Sequence, residues 1–302
     1  MTAGGAHGSR PGKVWIDGHI VEPGQAAVPV FDRGFLYGDS VYEVLRTFHG
    51  VPHALDDHLG RLEGSARRIG METPPREQIA AALAATIAAT SLPECYLRII
   101  VTRGEGALNL DPAAAVGPRL VILALSLILP DAALYRDGAS VAIVGARRNA
   151  PGSLDPQVKS GNYLNSVLAV AEARRAGAYE ALMCDAVGRI AEGASSNLFV
   201  VRGGRVATPP LSVVLLEGIT RRHVMALGRA LGLPVDEVSL WPQDLFGADE
   251  AFITSSVRGI MPIVRADDHP IGHPIGQGGG AGVGGPITRR LLDAWRVHTE
   301  GA

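Results

Sequence analysis

Of the 28 lysine and arginine side chains, only Lys13 and Lys159 are lysine, so 28 − 2 = 26 are arginine. Where plain positive charge is wanted, this chain uses arginine. A retained lysine therefore calls for something a guanidinium cannot do. An ammonium can shed its proton and become an amine nucleophile; a guanidinium cannot. Such an amine condenses with carbonyl carbons. Lys159 stands just ahead of Leu164, Val167, Leu168 and Ala171. Their i, i+3, i+4, i+7 spacing predicts a helix with that stripe turned toward a core. The plain alternative is a surface lysine in a loop, the usual lot of lysine.

Amine chemistry run with pyridoxal phosphate (PLP) asks four things of a protein: a lysine for the cofactor's aldehyde, a partner for its ring nitrogen, a phosphate cup, and walls for the ring. The second half of the chain holds candidates for each. Glu192 sits among small residues in Ala191-Glu192-Gly193-Ala194-Ser195-Ser196-Asn197, where a flat ring can approach. A carboxylate beside the ring nitrogen favours its protonated form. Its plain alternative is a solvated glutamate in a turn. Gly218-Ile219-Thr220 stands where a helix is predicted to begin, and free amides at a helix start attract an anion. Thr220 serves equally as a simple N-cap. Thr254-Ser255-Ser256 offers further hydroxyls after a predicted strand. In the first half, the run from Asp32 to Asp39 reads as a tight, shaped loop. Asp57-His58 lacks the further ligands a metal site needs, and His53 and His223 read as structural. Neither a GxSxG nor an HExxH pattern occurs.

The elements that must position these groups follow from periodicity. A hairpin is predicted over 14–21 with Asp17-Gly18 at its turn. Strands are predicted over 41–48, 96–102, 119–127, 140–144, 179–184, 197–201 and 250–254. The strand at 96–102 places Tyr96, Arg98 and Ile100 on one face. Helices are marked by Leu59, Leu62, Ala66 and Ile69, by Ile79, Leu83 and Ile87, and by Val224, Leu227 and Leu231. Pro286 opens a last helix with Ile287, Leu291 and Ala294 inward. The glycine-rich run 276–285 reads as a flexible loop. With 302 residues and 47% hydrophobic content, the chain can bury two cores. A net charge of −2 leaves no basic footprint for nucleic acid. Two distant cysteines, Cys95 and Cys184, with no CxxC pattern suit a reducing cytoplasm. The longest apolar run, 120–129, is about half of the ~20 residues a membrane helix needs.

From about Trp15 to Trp295 the chain resembles the class IV (fold type IV) pyridoxal-phosphate-dependent aminotransferases, which include branched-chain amino acid aminotransferase, D-amino acid aminotransferase and aminodeoxychorismate lyase. The resemblance rests on DRGFLYGDSVYEVLR, His58-Leu59-Gly60-Arg61-Leu62, Tyr96-Leu97-Arg98, KSGNYLN, EGASSNLF, LEGITR and FITSSVRGIMPI, in the family's order. Residues 1–12, rich in Gly, Ala, Ser and Pro with nothing to bury, read as a disordered tail. The resemblance implies an α+β / α/β chain: a small α+β domain over 13–128, a linker over 129–138, and a large cofactor-binding domain over 139–302 with a β-barrel-like core. It implies that Lys159 joins the cofactor's aldehyde and later moves the substrate's α-proton. Glu192 pairs with the ring nitrogen. Arg61, the amides of Ile219 and Thr220, and Ser256 hold the phosphate. Leu216 packs on the ring, and Tyr163 faces the cofactor's phenolic oxygen. Tyr37, Arg46, Tyr96, Arg98 and Val257 line the substrate side, with Arg98 taking the distal carboxylate of glutamate. The activity implied is transamination between a branched-chain L-amino acid and 2-oxoglutarate, by a homodimer without a metal. Tyr163 and Tyr96-Leu97-Arg98 are similar to branched-chain enzymes. The version of the strand over 38–44 leans instead toward D-amino acid or (R)-amine enzymes, and the lyase is a further alternative.

Overall fold

A computed structural model describes residues 10–272 and 284–301. The predicted glycine-rich loop lies almost wholly outside the described residues, as does most of the predicted tail. The chain divides into two units. The first holds the chain up to Ile128 together with Val158–Asn162; the second holds Leu129–Gln157 and the chain from Tyr163 onward.

The first unit is built on an antiparallel sheet whose strands lie in the order His19–Val21, Gly12–Ile16, Arg119–Ser126, Cys95–Thr102, Ser40–Phe48, Val51–Pro52. The predicted hairpin is present, with Val14 opposite Val21 and both Asp17 (φ 50°) and Gly18 (φ 85°) left-handed at its turn. The sheet starts inside the stretch expected as tail: Pro11 accepts a bond from the Ser126 amide. A side chain at Gly12 would strike the Ala124 carbonyl at 2.2 Å. One sheet face is covered by the helices Leu55–Arg68 and Arg76–Ala88, burying Leu59, Leu62, Ile79 and Leu83 against Leu45, Leu97, Ile99 and Ile122. The run from Asp32 to Asp39 is not a plain loop. Arg33–Tyr37 is a short helix, capped by the Asp32 carboxylate accepting from the Gly34 amide at 2.8 Å and ended by left-handed Gly38 (φ 67°).

The second unit carries a mixed nine-stranded sheet that curls as a half-barrel. Along it run Ile190–Gly193, Glu180–Cys184, Ala139–Ile143, Gly259–Ala266, Glu250–Ser255, Asn197–Arg202, Arg205–Thr208 and Val235–Glu237. Hydrophobic alternation splits its two faces. Val141, Leu182, Leu198, Val200, Ile253 and Met261 fill one core. On the other side Phe199, Phe252 and Ile260 pack under the helices Ile219–Ala230 and Pro286–Glu300, with Leu291 and Trp295 as the anchors of the last helix.

The helix after Lys159, Leu164–Arg175, turns the opposite way from the prediction. Its buried residues are Ser166, Ala169 and Ala173, packed on Ala142, Ala181 and Met183. Leu164, Val167 and Leu168 are 70%, 58% and 57% exposed. Small side chains allow this helix to lie close on the sheet, and the larger stripe is left outside.

Phe199 and Phe252 are fully buried and stack with ring centroids 4.9 Å apart. Phe252→Ala is expected to lower stability by about 3–5 kcal/mol, through lost transfer energy and a residual cavity. Denaturant unfolding of the purified variant measures this, and a loss under about 1 kcal/mol, well below the range for a buried Phe, contradicts the packing described.

Candidate active site

Lys159 is strapped by its own backbone. Its carbonyl accepts from the Tyr42 amide at 2.9 Å, and the Gly161 amide donates to the Ser40 carbonyl at 2.9 Å. Val41 and Ser160 form an antiparallel bridge between these bonds. On the other side, the Lys159 amide donates to Ser65 Oγ at 3.1 Å, on the helix Leu55–Arg68. The side chain is thus aimed from a fixed backbone, and Nζ rests 4.6 Å from the centroid of the buried Tyr42 ring. Lys13, in contrast, is a surface ion-pair partner of Glu22.

The same ring receives a second cation, with Arg98 Cζ 4.2 Å from its centroid. Register explains the meeting. Arg46 lies opposite Tyr96, Val44 opposite Arg98, and Tyr42 opposite Ile100, so alternation puts Tyr42, Arg46, Tyr96 and Arg98 on one face. Arg46 leans on Phe48, with Cζ 4.0 Å from the ring centroid, and donates to the Thr47 carbonyl. Arg98 Nε is buried without a hydrogen-bond partner among the described residues. A buried guanidinium donor left unpaired is costly, and an anionic oxygen would satisfy it. Tyr37 lies under the Arg33 guanidinium, with Cζ 5.0 Å from its ring centroid.

Arg61 has a partner that motif reading missed. On the opposite face of the strand Ser40–Phe48, fully buried Glu43 accepts from Arg61 Nε at 2.8 Å and from Nη2 at 2.7 Å. His58 Nδ1 lies 2.7 Å from the same carboxylate. Burial pushes the Glu43 carboxyl upward, but the Arg61 charge and the hydrogen bonds from Arg61 and His58 outweigh it and hold its pKa near about 2. Burial lowers the His58 imidazole in turn. Glu43 thereby fixes the orientation of the Arg61 guanidinium.

In the second unit the carboxylate of Glu192 is buried and fully engaged. It accepts from Arg148 Nε at 2.6 Å, from the Leu216 amide at 3.1 Å, and from Asn197 Nδ2 at 3.3 Å. Asn197 Nδ2 also donates to the Leu216 carbonyl at 3.0 Å. Glu192 and Leu216 therefore meet directly. Arg148 and Asn197 are the additions. No periodic pattern marks Arg148, whereas Asn197 lay in a motif already read as chemical. Space here is tight: a Cβ on Gly218 would lie 1.9 Å from Asn197 Oδ1, and one on Gly193 would lie 2.1 Å from Ser196 Oγ.

Gly218, not Thr220, is the N-cap of the helix Ile219–Ala230, and no side chain caps it. Amides at a helix start lack intrahelical partners, and Ile219 and Thr220 are both buried there. The hydroxyl of buried Thr254, whose residue pairs with Asn197 across the sheet, has no partner among the described residues. Ser256 and Val257 follow in the turn after Glu250–Ser255. Tyr163 is the N-cap residue of the helix Leu164–Arg175. A buried carboxylate, glycines that admit no side chain, uncapped helix amides and an unsatisfied buried hydroxyl together fit a flat nitrogenous ring bearing a phosphate.

The family model described as Amino-transferase class IV matches residues 40–266. A putative branched-chain-amino-acid aminotransferase of Methanocaldococcus jannaschii is 38% identical over 86% of this chain and 89% of its own length. The D-alanine aminotransferase of Bacillus licheniformis is 31% identical over 93% of this chain and 95% of its own. Among solved structures, the branched-chain amino acid aminotransferase of Thermobaculum terrenum in its PLP-form (holo-form) superposes with a TM-score of 0.83 at 28% identity, covering 97% of this chain and 95% of that one.

The Glu43 carboxyl is depressed on folding from its ordinary 4.5 to about 2. Its ionised form therefore stabilises the fold above pH 4.5, and that contribution is withdrawn as pH falls from about 4.5 to about 2. It amounts to about 3 kcal/mol. Glu43→Gln is expected to lose stability at pH 7 and to show a flatter decline across that acid window. Chemical denaturation at a series of pH values measures both.

Proposed function

The chain belongs to the class IV aminotransferases, and on that premise we propose that it carries an amino group from a branched-chain L-amino acid to 2-oxoglutarate in two alternating half-reactions. Its cofactor is pyridoxal 5'-phosphate. When bound, that cofactor supplies an electron-withdrawing ring that stabilises negative charge at the substrate's α-carbon. Lys159 provides the amine that anchors the cofactor. As a free amine it would take the substrate's α-proton as a base and return it as an acid, a role worth about 10²–10⁴-fold when the group is well placed. Its strapped backbone supports this assignment, since a fixed origin limits where the amine can swing.

Glu192 faces the ring nitrogen, held by the Arg148 guanidinium. Arg61, the Ile219 and Thr220 amides and Ser256 hold the phosphate, Leu216 covers the ring, and Tyr163 addresses the phenolic oxygen. Tyr37, Arg46, Tyr96, Arg98 and Val257 line the substrate side. One observation carries the choice of acceptor: the buried Arg98 Nε has no partner, on the face that also holds the Lys159 amine against Tyr42. A second carboxylate, as in 2-oxoglutarate, suits that donor. The likeness to a D-alanine aminotransferase over 93% of the chain supports a second reading, transfer from D-amino acids or (R)-amines.

A homodimer belongs to the proposal. The exposed apolar stripe of Leu164, Val167 and Leu168 supports it, because such a face is covered at little polar cost by another copy. A cytoplasmic setting is supported by two buried, unpaired thiols, Cys95 and Cys184.

The test is a half-reaction screen of the yellow, cofactor-loaded protein. L-leucine and L-valine are expected to bleach its visible band, and 2-oxoglutarate to restore it. Bleaching by D-alanine or (R)-1-phenylethylamine alone selects the second reading. Product formation from aminodeoxychorismate without 2-oxoglutarate selects a lyase. Lys159→Ala is expected to lose the visible band of the covalent adduct and at least about 10²-fold in turnover; an active variant removes Lys159 from the mechanism.

A further inference from the structure

Arg258 has no role in the account above, yet its guanidinium is engaged along its whole edge. Nε donates to Ser255 Oγ at 3.0 Å and Nη1 to Glu180 Oε2 at 2.7 Å. Nη2 donates to both the carbonyl and Oγ of Ser195 at 2.9 Å. Its own carbonyl accepts from the Tyr135 hydroxyl at 2.9 Å. Glu180, with a side chain only 3% exposed, also accepts from Ser195 Oγ at 3.0 Å and Ser196 Oγ at 3.2 Å. The next residue, Gly259, is left-handed (φ 65°), and a Cβ there would lie 2.7 Å from Trp295 Nε1. The arginine is thus presented by a turn that only glycine can complete.

These bonds join two turns that the sheet already places side by side. Asn197 pairs with Thr254, so the turn 194–196 before one strand and the turn 256–258 after its neighbour emerge at the same sheet end. The first is bounded by Glu192-Gly193 and by Asn197, which hold each other through the Asn197–Glu192 bond. The second contains Ser256. Between them only a group with several rigid, divergent donors can span both, and a guanidinium has that shape.

We propose that Arg258, anchored on Glu180, is a positioning residue that sets the Glu192–Asn197 group relative to Ser256, and hence the cofactor's ring nitrogen relative to its phosphate. This rests on the functional reading above. Arg258→Lys separates charge from shape. A lysine retains the ion pair with Glu180 but cannot also reach Ser195 and Ser255. Its unfolding midpoint is expected to fall less than that of Arg258→Met, which also loses the ion pair. The dissociation constant for pyridoxal 5'-phosphate, from absorbance titration of the cofactor-free protein, is expected to rise about ten- to a hundredfold, with KM for the amino donor rising more than kcat falls. Arg258→Met, which strands a buried carboxylate, is expected to lower the midpoint as well.

An Arg258→Lys protein with wild-type cofactor affinity and KM overturns the proposal, as does one whose midpoint falls as far as that of Arg258→Met. A wild-type protein that takes up no pyridoxal phosphate sinks the functional reading itself and the proposal with it. A wild-type protein that loads normally beside an unaffected Arg258→Lys sinks the proposal alone.

Discussion

Two backbone hydrogen bonds, Tyr42 to Lys159 and Gly161 to Ser40, hold the backbone of Lys159 in place. They make a three-residue fragment of the Lys159 segment into a short partner for the outer edge of the strand Ser40–Phe48. The other end of that edge is taken by Val51–Pro52, with Thr47 opposite Pro52. An edge strand left bare invites pairing with another chain. Here the same backbone groups that need partners fix the origin of the lysine side chain. One pairing closes the edge and fixes the lysine backbone, and the segment accordingly groups with the first unit although its chain neighbours on both sides belong to the second.

The strand that receives Lys159 uses both of its faces. Tyr42 and Arg46 point to the side shared with Tyr96 and Arg98, while Val41, Leu45 and Glu43 point to the helices. Glu43 is the exception on its face, an ionised group among leucines. Desolvation alone would neutralise it, but two bonds from one guanidinium and one from an imidazole hold it ionised. A buried carboxylate so arranged orients Arg61 as much as Arg61 stabilises it. In the second unit the buried Glu192 carboxylate is likewise surrounded by donors, from Arg148, Asn197 and the Leu216 amide.

Local pattern was enough for much of this. The scarcity of lysine singled out Lys159. Alternation placed Tyr96, Arg98 and Ile100 on one face, and the Asp17-Gly18 turn and the helices around Leu59, Ile79 and Val224 appear where periodicity puts them. These features depend on residues two to eight apart, so a linear reading contains their causes. Tyr42 was within reach by the same alternation that placed Tyr96.

What the chain alone could not decide was which face of a helix meets its sheet, and which distant residue meets each charge. Leu164, Val167 and Leu168 repeat at helical spacing, but so do Ser166, Ala169 and Ala173, and only the alanines of the facing strands select the smaller set. The partners of Glu43 and Glu192 lie 18 and 44 residues away, at Arg61 and Arg148. Composition names the amine, the carboxylates and the glycines. The folded sheet decides whom they touch, because a hydrogen bond depends on distance in space and carries no trace of separation along the chain.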